Sequence, residues 1–214
     1  MRVVVFGAGG KVGRLLVPQL VEAGHEVVGV IHREASGPGV EASGGTPVVV
    51  DLEGDVAAVR EVLTGADAAV WSAGADTSTG TEHSDRLDRD GAQRAIAAGA
   101  ELGVGRWIQI SSLYADRIDS APPVLQHFLG NKAAADDAAR ASGMTATVVR
   151  PGGLTDDEGT GMVSIQAEGM GHGMVTRADV ASVIAAALTN DVARDKSFDL
   201  ATGTTTIDEA LRAL

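Results

Sequence analysis

Residues 1–13 read Met1-Arg-Val-Val-Val-Phe6-Gly7-Ala-Gly-Gly10-Lys-Val-Gly13. A β-branched apolar run stops at a cluster of glycines. Val12, Leu15, Leu16, Leu20 and Ala23 then recur at helical spacing, so the glycines sit on a strand-to-helix turn. A turn of that kind lets backbone N–H groups come close to a phosphate and points a helix N-terminus at it. Gly7, Gly9, Gly10, Lys11, Val12 and Gly13 are therefore candidate residues for holding the pyrophosphate of a dinucleotide. The alternative is a tight turn that binds nothing, since a chain with 28 glycines can produce a triad by chance. Against that alternative stands the setting: directly after a strand, opening a helix, at the head of a repeating strand–helix pattern.

Strand-like runs lie at 3–6, 26–31, 47–50, 68–71, 107–110 and 145–149, with helical spacing at 11–23, 55–63, 84–102 and 124–141. Strands alternating with helices predict an α/β fold: a single doubly wound Rossmann-type domain over 1–214, with a parallel sheet and right-handed crossovers. Pro18 is expected to bend the first helix without ending it, because the apolar spacing continues to Ala23. Residues 32–45 read mostly as loop, with at most a short helix. After Arg150 come a glycine-rich loop, the run Met162–Gln166, a second glycine-rich loop, a helix over 177–188, a strand at 197–201 and a short helix from Ile207. The stretch 151–175 is too small for a core of its own and reads as a flap over the C-terminal edge of the sheet.

Hydrophobic residues make up 44% of the 214 and aromatics only 3%, so the core must be built from Val, Ile, Leu and Ala. A parallel sheet under alanine-rich helices suits that composition. A formal charge of −12 argues against nucleic acid and anionic membrane as partners, since both demand a basic face. The absence of cysteine excludes disulfides, thiolate catalysis and zinc–thiolate sites. The first strand begins at Arg2 and no apolar run approaches the roughly 20 residues a bilayer needs, so the expectation is a cytoplasmic protein. Monomer and homodimer both remain open, because the alanine-rich faces of 84–102 and 124–141 suit a two-fold contact as well as a sheet.

In an open α/β sheet ligands lie outside the carboxyl ends of the strands, at the point where the strand order reverses. The loops there are 7–13, 32–36, 51–54, 72–80, 111–123 and 151–160. The second strand ends Gly29-Val-Ile31-His32-Arg33-Glu34, with apolar Ile31 where an NAD site usually offers an acid. Arg33, with His32 and Ser36 beside it, would pair bidentately with a ribose 2′-phosphate, which favours NADP (NADPH) over NAD. Glu34 could stand in for the missing acid, and a solvated charged loop is the bland alternative.

The motifs Gly7-x-x-Gly10-x-x-Gly13, Asp51-Leu52, Ser72-Ala-Gly-Ala75, Asp88-Arg-Asp-Gly91, Ser111-Ser112, Lys132, Val149-Arg-Pro-Gly-Gly153 and Arg177-Ala-Asp-Val180 span nearly the whole chain. In that order they resemble the short-chain dehydrogenase/reductase superfamily, in its atypical NAD(P)-binding, epimerase/dehydratase-like branch. The resemblance implies that Asp51 accepts from the adenine amino group, with the Leu52 N–H beside it. It places Ser72, Ala73 and Gly74 along the adenosine ribose and pyrophosphate, and the turn Pro151, Gly152, Gly153, Leu154 against the nicotinamide. A helix N-cap, an ordinary loop and a strand-ending turn would each explain one of these sites taken alone.

Catalytic members of that superfamily use a Ser, a Tyr and a Lys, the last two four residues apart on one helix face. Stacking at i and i+4 lets the ammonium lower the phenol's pKa and anchor the ribose. Ser112 and Lys132 match two of the three, but Phe128 stands four residues before Lys132 and keeps the ring without the proton. Asp88 stands where the superfamily often has asparagine. Tyr114, the chain's only tyrosine, is a candidate proton donor, with a half-packed rim residue as the alternative. His127 points about 100° away from Phe128 on the helix, and a surface or packing role suits it better. His172 could close over a substrate. The run Asp156-Asp157-Glu158 reads as solvated loop and not as a metal site, and Asp179 as a first-turn carboxylate favouring the helix dipole.

Two functions are consistent with these residues. One is an NADP(H)-dependent oxidoreductase or epimerase-like enzyme for a small organic substrate, using Ser112 and Lys132. The other is a catalytically silent NADP(H)-binding sensor that kept the cradle and lost the chemistry with the phenol.

Overall fold

Val3 and Val5 of strand β1 (Arg2–Phe6) pack into one hydrophobic cluster and Val4 and Phe6 into another, and all four are fully buried. Alternate residues buried on opposite faces require a sheet covered on both sides, which is the setting of parallel strands. The computed structural model describes residues 1–214, apart from the side chain of Thr77. Its first half comprises β1, α1 (Gly13–Glu22), β2 (Glu26–Ile31), α2 (Gly37–Ala42), β3 (Thr46–Val49), α3 (Val56–Leu63) and β4 (Ala68–Trp71). Then follow α4 (Thr81–Ser84), α5 (Ala92–Glu101), β5 (Arg106–Ile110), α6 (Pro123–Ala141), β6 (Thr145–Pro151), β7 (Gly153–Thr155), β8 (Met162–Gln166) and β9 (Met174–Thr176). The chain closes with α7 (Arg177–Thr189), β10 (Ser197–Thr202), β11 (Thr205–Thr206) and α8 (Ile207–Arg212).

The main sheet runs β3-β2-β1-β4-β5-β6-β10-β8-β11. The first seven strands are parallel, with Val3 of β1 facing Val27 on one side and Ala68 on the other. β8 pairs antiparallel with both β10 and β11. The order reverses between β1 and β4, which opens the crevice at their carboxyl ends. This is the doubly wound Rossmann-type α/β architecture.

Leu16, Val17 and Leu20 of α1 cover one face together with Val180, Val183 and Ile184 of α7. Val59, Val62 and Leu63 of α3, Ala95 and Ile96 of α5, and Ala135 and Ala139 of α6 cover the other. Alanine at the helix–sheet contacts lets α5 and α6 approach closely. Phe6, Trp71 and Trp107 stack on that same face, with Phe6 and Trp71 centroids 5.2 Å apart. Pro18 lies inside an unbroken α1.

Three segments carry detail that periodicity did not reveal. Residues 34–36 form a short 3-10 turn leading into α2. The helix expected over 84–102 begins at Thr81 and widens into a π-helical turn over Asp85–Gly91 before α5. Such turns occur frequently at functional sites, and this one buries Asp88. Within 151–175, β7 and β9 pair with each other while β8 extends the main sheet.

Candidate functional site

The glycine turn between β1 and α1 is set by close contacts. Gly7 has φ +81°, and a Cβ there would lie 2.7 Å from the Ala73 nitrogen. A Cβ on Gly13 would lie 2.3 Å from the Gly7 carbonyl oxygen. Gly10 N–H donates to the Gly7 carbonyl at 2.9 Å and closes the turn. Among the described residues, the N–H groups of Gly9, Lys11 and Val12 have no backbone partner. Helix α1 starts with no side-chain cap and no acid in its first turn. These free donors at a helix N-terminus are what an anion requires.

Two clefts meet over this turn. One, about 530 Å³, is lined by Gly7, Gly9, Gly10, His32, Arg33, Ser36, Asp51, Leu52, Ser72, Ala73 and Gly74. The other, about 680 Å³, shares Gly10 and the 72–74 stretch and adds Lys11, Val12, Ser111, Ser112, Lys132 and the 151–154 turn. The groove thus gathers the nucleotide residues expected from the sequence, Gly13 lying behind its wall.

Arg33 is exposed at the end of β2, and no carboxylate among the described residues lies within ion-pair distance of it. Asp51 accepts from the Glu53 N–H at 2.9 Å. Arg94 holds the Leu52 and Glu53 carbonyls at 3.1 and 2.8 Å. Glu53 in turn binds His83 at 3.0 Å and Arg86 at 2.6 Å, and His83 and Leu87 complete this end of the cleft. His83, Leu87 and Glu53 were not found from the sequence; they flank recognised motifs but belong to none.

In the other half, Lys132 Nζ lies 2.7 Å from Asp88 Oδ1. Asp88 is 2% exposed and also accepts from Ser84 Oγ at 2.8 Å, with the Ala75 N–H at 3.3 Å. The π-helical turn therefore delivers a buried carboxylate that holds the Lys132 ammonium beside Gly74, where a Cβ would lie 3.1 Å from Nζ. Ser112 makes only a 3.4 Å contact from its hydroxyl to the Leu113 carbonyl. Its neighbour Ser111 donates to Asp136 Oδ2 at 2.6 Å. Burial pushes the Asp136 carboxyl up to about 7, against the opposing pull of that hydrogen bond. Arg177 also lines this half.

Lys11 and Arg177 both reach Asp156, at 3.1 and 2.8 Å, so the acidic run after β7 clasps the glycine turn. The Lys11 hydrogen bond, with Arg177 beside it, holds the Asp156 carboxyl below the usual range. Tyr114 is not among the residues lining either cleft; its hydroxyl donates to the Gly171 carbonyl and its ring packs under Arg117. Phe128 is half-buried on α6, and His127 binds Asp85 at 2.7 Å. His172 is exposed and lines neither cleft. Asp179 is buried and accepts from the Thr160 and Gly161 N–H groups at 3.1 and 2.8 Å, which secures the loop before β8.

These residues fit a dinucleotide. The cradle at Gly7 is space that a Cβ would fill, the amides beside it are free, and Arg33, a cation without a carboxylate partner among the described residues, lines the same cleft. A family model described as NAD(P)H-binding matches residues 7–191. A Bacillus subtilis protein described as an uncharacterized sugar epimerase, YhfK, is 35% identical over 215 residues, covering 100% of both chains. The structure of a Bacillus halodurans protein, proposed to be an NAD-dependent epimerase/dehydratase, superposes with a TM-score of 0.95 at 34% identity over 100% of both chains. The Lactococcus lactis oxidoreductase ylbE shares the fold, with a TM-score of 0.88 at 24% identity over 100% of this chain and 96% of its own.

Proposed function

Because the chain belongs to the NAD(P)H-binding family, with an atypical short-chain dehydrogenase/reductase-like fold, we propose that it is an NADP(H)-dependent oxidoreductase or epimerase-like enzyme for a small organic substrate. A bound nicotinamide would supply or accept a hydride. The turn from Gly7 to Gly13 would hold the pyrophosphate, Asp51 and Leu52 the adenine, and Pro151–Leu154 the nicotinamide side. Lys132, steadied by Asp88, would hold the adjoining ribose, and Ser112 would hydrogen-bond a substrate carbonyl.

Arg33 carries the choice of NADP. It has no carboxylate partner among the described residues, it lines the cleft beside Ser36, and apolar Ile31 stands where an NAD site usually offers an acid. The Bacillus halodurans protein is described as NAD-dependent, so the choice needs a direct test. Arg33→Ala should weaken NADPH binding about 10–100-fold, the worth of charge-assisted hydrogen bonds of about 1.5–3 kcal/mol, and change NADH binding by less than about threefold. Calorimetry with both cofactors reads this. Equal losses for the two would remove the arginine's role as selector.

The silent sensor is favoured by a different observation: Phe128 has no phenol, and the Lys132 charge is already matched by Asp88. Phe128→Tyr separates the readings. If the groove is shaped for catalysis, restoring the phenol should raise carbonyl reduction by about 10²-fold or more, the usual worth of a placed acid. A rate as low as that of the parent, with NADPH bound to both, would favour the sensor. A sensor must also bind NADPH and NADP⁺ with different affinities, since only differential binding shifts an equilibrium.

A further inference from the structure

Phe128 has no proton to give, and the Tyr114 hydroxyl is engaged with Gly171 outside the groove. The substrate half nevertheless holds a second hydroxyl backed by a buried acid. Resting on the reading that this groove reduces a carbonyl, we infer that Ser111 protonates the substrate oxygen and that Asp136 supplies the proton through Ser111 Oγ.

Ser111 follows β5 at its carboxyl end, lines the groove beside Ser112 and Lys132, and is 5% exposed. Its Oγ lies 2.6 Å from Asp136 Oδ2. Asp136 sits one turn beyond Lys132 on α6 and is 2% exposed, and its Oδ1 has no hydrogen-bond partner. An ionised carboxylate there would leave a charged oxygen buried and unpaired, which disfavours that form. Asp136 feels the hydrogen bond from Ser111 and the charges of Lys132 and Arg140 on its own helix and of Arg150 on β6. All four favour the carboxylate, yet burial outweighs them and raises the carboxyl to about 7. A group titrating near neutrality gives and regains protons readily under working conditions.

The proton balance closes within this pair. In its acid form Asp136 would donate Oδ2–H to Ser111 Oγ, the reverse of the bond that Ser111 makes to the carboxylate, and the serine's own O–H is then free to donate into the groove. Arrival of a hydride at a carbonyl carbon leaves an alkoxide. Ser111 gives its proton to that oxygen, completing the alcohol, and takes the proton of Asp136, which is left as carboxylate. After product release the carboxylate recovers a proton from water in the groove by the same route. A bound dihydronicotinamide would supply the hydride and its two electrons, and the one proton consumed enters from solvent through Asp136 and Ser111.

The test uses the full chain as parent, Asp136→Asn, Ser111→Ala and Ser111→Thr. NADPH affinity is measured by calorimetry, and turnover is measured with 9,10-phenanthrenequinone across pH 5–9. Infrared pH titration without cofactor reads the buried carboxyl directly. The parent should show a carboxyl C=O band that disappears near pH 7 and is missing in Asp136→Asn. In the parent, kcat should fall as pH rises through that range, because the acid form is the donor. Asp136→Asn and Ser111→Ala should each lose about 100-fold in kcat with little change in KM, and Asp136→Asn should flatten the profile. Ser111→Thr, which keeps the hydroxyl, should retain most of the rate. A uniform loss in Asp136→Asn that leaves the pH limb in place would make Asp136 a structural support and overturn the relay. Unchanged turnover in either deletion, or no turnover by any protein that binds NADPH, would overturn it as well. Absence of NADPH binding by the parent is a separate failure, that of the cofactor reading itself.

Discussion

Gly13→Ala is expected to weaken NADPH binding by more than about 100-fold and to destabilise the fold by roughly 1–3 kcal/mol, the usual range for overpacking. One methyl does this because its neighbours are backbone. The added Cβ would stand 2.3 Å from the Gly7 carbonyl oxygen and 2.7 Å from the Ala8 Cα. No rotamer can relieve either contact, so α1 must move away from the turn. The turn is also where the amides of Gly9, Lys11 and Val12 stand free, and moving the helix disperses them. Gly39→Ala is the control, since nothing lies within 4 Å of a Cβ there. It should leave binding and melting temperature unchanged or slightly improved. Calorimetry and thermal unfolding measure both proteins. A Gly13→Ala affinity within about threefold of the parent would show that this turn is not the phosphate cradle.

Asp199→Ala should produce the largest loss of stability of any single change here, about 3–5 kcal/mol or roughly 10–15 °C in Tm. Asp199 is fully buried in β10 and binds Arg150 Nε at 2.7 Å through one oxygen. Its other oxygen accepts from Arg117 and from the Met170 N–H, each at 3.1 Å. Asp116 lies 2.7 Å from Arg117 and 3.4 Å from Arg150, and Arg150 also donates to the Ala167 carbonyl at 2.7 Å. Truncating Asp199 leaves the Met170 amide without its acceptor and two guanidinium groups sharing the single carboxylate of Asp116, so buried positive charge is under-compensated. The network also ties the loop after β5 to the loop before β9. Faster proteolysis within 114–117 and 167–171 should therefore accompany the fall in Tm. The exposed Asp191–Arg194 pair is the contrast, and Asp191→Ala should not move the transition. A Tm drop of only a degree or two in Asp199→Ala would mean that water reaches the network and screens it.

The strands and most helices were legible because their signal is local. A continuous run of valines marks β1, apolar residues at helical spacing mark α1, and the glycines between them mark the turn. The clustering of Gly7, Arg33, Asp51 and Ser72 in one cleft was legible for the same reason: each sits at or just beyond the end of a readable strand. The π-helical turn was hidden, because one extra residue per turn barely disturbs the apolar spacing of 84–102. His83 and Leu87 were missed with it, since they reach the cleft from that same segment. Tyr114, two positions beyond Ser112, read as a candidate proton donor with a half-packed rim residue as the alternative. Its φ is 72°, and its hydroxyl donates to the Gly171 carbonyl.

The chain's own order of residues determined an α/β fold, a tight glycine turn with free amides, and an arginine just beyond the second strand, since each follows from spacing within or beside one strand, turn or helix. Only tertiary structure decided which charges are matched. Asp88 holds Lys132, Ser111 meets Asp136 across 25 residues, and Arg150 meets Asp199 across 49. Spacing along the chain does not encode such pairings. They form because burial raises the free energy of a lone charge, and the folded sheet brings the one group that relieves it.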